Sequence, residues 1–156
     1  MSEMRVVGIR MEQPNRPVLL LREATGERYL PIWIGEAEAN AIMLQQRGVE
    51  SARPLTHDLI KNLITAFGRR LLEVRIVDLQ QGTFYADLVF DKSLRISARP
   101  SDSVAIALRI GVPIFVDERI LQEAGVVMPD EREDEVEKFK EFLESVSADD
   151  FKANDG

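Results

Sequence analysis

The chain has no cysteine and one histidine, His57. The first absence removes disulfides, thiolate metal sites and cysteine nucleophiles, and it suits a reducing cytoplasm. The second excludes any site that needs two imidazoles. No apolar run approaches the roughly 18 residues of a membrane-spanning helix, and the opening MSEMRVV lacks the apolar stretch of a secretion signal. Glycine-rich phosphate loops of the GxGxxG and GxxxxGK types are missing, as is the GxSxG nucleophile elbow. What remains is 156 residues, 45% hydrophobic and 30% charged, the composition of one globular domain with a real core.

Charge is distributed unevenly. Residues 128–156 hold eleven acidic and four basic side chains, which accounts for the whole net charge of −7. Residues 1–127 hold sixteen of each, and fourteen of those sixteen cations are arginine. Arginine suits bidentate contacts to phosphate or carboxylate. A neutral body with an acidic tail is nevertheless not the electrostatic footprint of a tight nucleic-acid binder.

Periodicity predicts strands over 4–11, 18–22 and 28–34, the last two joined by the turn Ala24-Thr25-Gly26-Glu27. Gly35 then opens a helix over 36–47 with Ala37, Ala41 and Leu44 on one face and Gly48 as its stop. Glu36 and Glu38 in its first turn favour the helix dipole. Thr56 is placed to cap a second helix whose Leu59, Ile60, Leu63, Ile64 and Phe67 form one stripe. Strands over 72–76, 83–90 and 94–98 follow with short turns, including Gln81-Gly82, as an antiparallel sheet requires. Ser101 is placed to cap an apolar helix over 102–110. A strand over 112–116 and a short helix over 117–124 complete the body. The expected fold is α+β: a single domain over 1–127 with a largely antiparallel or mixed sheet packed by helices. The reading adds an acidic amphipathic helix over 128–148, striped by Val136, Phe139, Phe142, Leu143 and Val146, and a frayed tail over 149–156. Trp33 and Tyr85 read as core.

One phrase recurs. Ala52-Arg53-Pro54 precedes Thr56-His57-Asp58 and a helix ending at Gly68; Ala98-Arg99-Pro100 precedes Ser101-Asp102 and a helix ending at Gly111. Proline holds the preceding arginine extended, and the aspartate complements the positive helix end. Two well-built helix starts explain this. So does a duplicated strand–helix–strand unit that brings two arginines and two aspartates to one cleft. In that second reading Arg53 and Arg99 bind substrate phosphate, while Asp58, Asp102 and Glu36 hold Mg²⁺ or Mn²⁺. His57, with Asp58 and Asp102, completes the catalytic set, a neutral imidazole at a helix start being able to accept a proton from water.

Taken in order, Pro31-Ile32-Trp33-Ile34-Gly35, Arg53-Pro54-Leu55-Thr56-His57-Asp58-Leu59, Gly82-Thr83-Phe84-Tyr85-Ala86, Ala98-Arg99-Pro100-Ser101-Asp102-Ser103-Val104-Ala105 and Pro113-Ile114-Phe115-Val116 resemble the bifunctional nuclease family from about Met4 to Gly125. The resemblance implies a compact α+β domain, hydrolysis of phosphodiester bonds in DNA and RNA, and a tendency to dimerise; the lack of a long apolar run leaves no membrane partner expected. The alternatives left open are a non-enzymatic regulatory or scaffolding domain and a binder of a small anionic ligand.

Overall fold

A computed structural model describes residues 1–12 and 15–127. Eight strands and four helices alternate as β1 (Ser2–Met11), β2 (Pro17–Glu23), β3 (Arg28–Trp33), α1 (Glu36–Gln46), α2 (Thr56–Ala66), β4 (Leu71–Gln80), β5 (Thr83–Phe90), β6 (Arg95–Ala98), α3 (Pro100–Ile110), β7 (Ile114–Val116), α4 (Glu118–Ala124) and β8 (Val126–Val127). The fold is α+β, as the periodicity predicts; β8 is the one element that the alternation does not signal. The acidic helix and frayed tail expected over 128–156 lie outside the described residues.

All eight strands form one sheet in the order β6-β5-β4-β7-β1-β2-β3-β8. Only β4 and β7 run parallel; the other pairings are antiparallel. Two three-stranded meanders, β1–β3 and β4–β6, therefore flank β7, and each runs on into a helix, α1 or α3. The β4–β5 turn works because Gln81 and Gly82 both adopt positive φ, 51° and 80°, the backbone twist that a tight two-residue hairpin demands.

The sheet curls. β3 and β5 stand five places apart in strand order, roughly 24 Å across a flat sheet. Yet the end of β3 (Ile32, Trp33) and the start of β5 (Thr83, Phe84) line the same cavity of about 360 Å³. α3 fills the hollow, with Val104, Ala105, Ile106 and Ala107 all buried. These meet Leu19, Leu21 and Leu30 from one meander and Val74, Ile76, Ala86 and Leu88 from the other. α1 and α2 pack on α3, and α4 contributes Ile120 and Leu121 to the same core.

Three sequence expectations need correction. On α1 the buried residues are Ala39, Ala41 and Ile42, so the inner face is rotated from the Ala37 and Leu44 positions. On α2 the stripe divides: Ile60 and Ile64 pack on the core, while Leu59, Leu63 and Phe67 are exposed, Phe67 at 75%. The reason is that α2 rests chiefly on another helix rather than on the sheet, which shields too narrow a strip to hide a broad one. Tyr85 is also exposed, at 41%, because Phe84, Ala86, Leu88 and Phe90 take the inward face of β5.

Candidate functional site

Helix starts assemble the site. The N-cap of α2 is Leu55 and that of α3 is Arg99, with Pro100 as first helical residue. Each helix thus begins earlier than a hydroxyl cap at Thr56 or Ser101 would place it. Proline at the first position needs no N–H partner, and at α2 the Asp58 carboxylate reaches back to the Leu55 N–H at 2.9 Å. Asp58 and Asp102 then occupy the same third position of their helices, but the arginines do not match. Arg99 is itself a cap, whereas Arg53 lies two residues before one. The element that follows the first meander as α3 follows the second is α1, not α2. Its own third residue is Glu38.

Around Arg99 these groups meet. Its Nε and Nη2 donate to Asp102 Oδ2 at 2.9 and 2.8 Å, and its Nη1 lies 3.5 Å from Glu38 Oε1. The other Asp102 oxygen, Oδ1, is 2.9 Å from His57 Nε2. The result is a line Glu38–Arg99–Asp102–His57 joining the starts of α1, α3 and α2. Burial works against ionisation of Asp102, but hydrogen bonds from His57 and Arg99 outweigh it and hold the carboxyl below its usual range. An ionised Asp102 accepts from Nε2–H, which leaves Nδ1 of a neutral His57 as the ring's basic nitrogen. His57 is 8% exposed. All four residues line a groove of about 700 Å³, together with Asn40, Thr56 and Ser97.

Asp58 faces elsewhere. It lines a neighbouring cavity of about 430 Å³, where Arg109 Nε donates to its Oδ1 at 2.7 Å. The Leu55 N–H, opposed by burial and aided by Arg109, keeps the Asp58 carboxyl low. Arg109 also donates to the Ala105 carbonyl at 3.0 Å and the Ala41 carbonyl at 3.1 Å. Its side chain is 3% exposed, so one guanidinium ties α1, α2 and α3 together.

The sequence-level set therefore separates. His57, Asp102 and Arg99 come together; Asp58 is a neighbour in its own cavity; Arg53 is exposed and lines neither cavity. Glu36 is exposed in the first turn of α1. Among the described residues no three His, Asp or Glu side chains gather as a metal site. Both oxygens of Asp58 and both of Asp102 already accept hydrogen bonds from protein donors. This donor set does not fit a resident Mg²⁺ or Mn²⁺ shared by Asp58, Asp102 and Glu36. Two residues escaped the sequence reading. Glu38 looked like a dipole acid only. Arg109 had a legible signal, being one cation in the apolar run Val104-Ala105-Ile106-Ala107-Leu108-Arg109-Ile110, where an interior charge requires partners.

Comparison with known proteins matches the chain to a family. The family model described as bifunctional nuclease domain matches residues 19–129. An uncharacterized protein of Mycobacterium tuberculosis is 69% identical over 163 aligned residues, covering 98% of this chain and 99% of that protein. Bifunctional nuclease 1 of Oryza sativa is 28% identical over 133 residues, 80% of this chain and 40% of that one. Bifunctional nuclease 2 of Arabidopsis thaliana is 31% identical over 115 residues, 70% of this chain and 35% of that one. The chain thus spans well under half the length of these plant relatives.

Proposed function

The chain belongs to the bifunctional nuclease domain family, and on that premise we propose that the groove around His57 hydrolyses phosphodiester bonds of DNA and RNA. The observation that carries this reading is the line Arg99–Asp102–His57 along one groove wall. DNA has no 2′-hydroxyl, so the substrate's own hydroxyl cannot serve both polymers, and water is the nucleophile in this reading. His57 Nδ1 is the base that takes its proton as the new P–O bond forms and the P–O bond to the leaving nucleoside oxygen breaks. That oxygen takes a proton from solvent, and Asp102 holds the ring in the required tautomer and stabilises the imidazolium that forms. Arg99, whose side chain is 65% exposed, offers its outer edge to the phosphate oxygens, where charge builds as water attacks. Asp58 and Arg53 fall outside this set and act, in this reading, on the helix start and the surrounding surface.

Cleavage of single-stranded DNA and RNA tests the proposal, using purified protein with Mg²⁺, with Mn²⁺ and with EDTA. Wild type should cleave, and His57→Ala and Asp102→Asn should lose at least about 100-fold, the usual contribution of a positioned base. Activity that survives EDTA fits a site without a resident metal. Equal cleavage by wild type and both folded variants would end the assignment.

A second reading is favoured by charge: the body is neutral and Glu38 shares Arg99 with Asp102. A small anionic ligand fits such a groove better than a long polyanion does. Binding that ignores ionic strength would select it. The family reading also carries a homodimer, and the lack of cysteine supports a place in the cytoplasm. The outward apolar row Leu55, Leu59, Leu63 and Phe67 supports a second copy, and light scattering of Phe67→Glu beside wild type tests it. No helix among the described residues is long and apolar enough to cross a membrane.

A further inference from the structure

The sheet has a second buried face. Val18, Leu20 and Tyr29 form a cluster apart from the main core, with Trp33 and Val126 packed against it. Cross-strand register puts these residues on one side: Val18 stands opposite Trp33, Arg22 opposite Tyr29, and Tyr29 opposite Val126. On β1, Arg10 stands opposite Val18 and Arg5 opposite Arg22. Arg16 lies over the Trp33 ring at 4.7 Å and Arg22 over Tyr29 at 5.4 Å. The face is an apolar centre ringed by arginines.

Among the described residues no helix covers it. Ala41, Ile42, Val104, Ile106, Ile120 and Leu121 of the described helices join the other core, and none of those four helices contributes a residue to this cluster. Yet Val18 is 0% exposed, Leu20 3% and Tyr29 5%. An occupant of this face has to be apolar at its centre and acidic at its rim. The chain itself supplies a match. Val127 ends β8 at the edge of this face, and 29 residues follow with an excess of seven negative charges. Among them Val136, Phe139, Phe142, Leu143 and Val146 repeat at helical spacing, with Glu133, Glu135, Glu137, Glu141 and Glu144 between and beside them.

We propose that residues 136–146 of the same chain form an amphipathic helix that lays its apolar stripe on Val18, Leu20, Tyr29 and Trp33 and sets its carboxylates against Arg5, Arg10, Arg16 and Arg22. Eight connecting residues reach about 26 Å when extended, more than the roughly 15 Å across three strands. The docked helix completes a three-layer domain, with sheet between helices, and brings opposite charge to the sheet's back. The exposed row on α2 is the rival surface; it has no arginine ring.

The full chain, free of native cysteine, suits a spin label at Ser145→Cys. Label-induced broadening should strike amides of β1–β3, including Arg10, Leu20 and Tyr29, and spare Leu59–Phe67. Broadening on α2, or nowhere in the body, overturns the proposal. Mixing isotope-labelled protein without a spin label with spin-labelled protein at natural abundance should leave the spectrum unchanged; broadening there would make a second copy's segment the occupant instead. Trp33 is the sole tryptophan, so Phe139→Asp/Leu143→Asp should red-shift its emission and increase its quenching by acrylamide. Unchanged emission and quenching in that folded variant would also overturn it.

Discussion

Arg109 is the residue on which most of the helical layer depends. Replacing it with alanine leaves Asp58 without its cation and the Ala41 and Ala105 carbonyls without their donor. Breaking a buried ion pair costs about 3–5 kcal/mol; because Asp58 is one-third exposed, the expected loss for Arg109→Ala is roughly 3 kcal/mol, readable by urea unfolding. Asp102 makes a different prediction. Its folded-state pKa lies below the unfolded value, so its stabilisation is present above the unfolded carboxylate range near pH 4 and is lost as pH falls through the lowered value. Asp102→Asn should therefore be destabilised at pH 7 and show a shallower loss of stability between about pH 5 and pH 2. An identical acid limb in both proteins would contradict that. Of this chemistry, the sequence showed the residue types and the helix-start position of Asp102. It could not show that Arg99 pairs with Asp102 three residues on while His57 arrives from 45 residues away.

Helices and strands respond at their own scale. α2 carries apolar residues on two sides, and only Ile60 and Ile64 meet the core. Leu63→Ser should change stability by less than about 0.5–1 kcal/mol, since the side chain is 44% exposed. Leu121→Ala on α4, where the side chain is 1% exposed, should cost about 2–5 kcal/mol. Thermal unfolding of the two variants separates an outward row from a core stripe, which the 3.6-residue period of the sequence cannot do. At the β4–β5 turn, Gly82→Ala should cost about 1 kcal/mol, because φ is +80° there. The turn itself was legible, since Gln-Gly between alternating runs has few other uses. The starts of α2 and α3 were not, because proline and a back-reaching aspartate displaced the hydroxyl caps.

The whole molecule sets how the site meets a polyanion. The described body carries no net charge, and one exposed arginine, Arg99, stands in the groove with Asp102 and Glu38 beside it. A single phosphate contact implies a slope of about −0.7 in log affinity against log salt for a single strand. Titrations at several salt concentrations should give a value near that, and a slope several times steeper would require cations outside the groove. The groove exists only because the sheet curls far enough to let α3 sit within it, and no local period encodes such curvature.

Alternation, turn residues and apolar stripes, each a property of neighbouring positions, determined where the helices and every described strand but β8 lie and the α+β class, while composition alone set the neutral body and its acidic tail. Tertiary structure alone decided which stripe residues face inward, that Asp58 and Asp102 serve separate cavities, and that α1 rather than α2 is the counterpart of α3. Those outcomes depend on which surfaces meet across tens of residues. The repeated Ala-Arg-Pro phrase shows the limit physically: the same three residues end two positions apart relative to their helix starts, because one proline lies before the cap and the other inside the first turn.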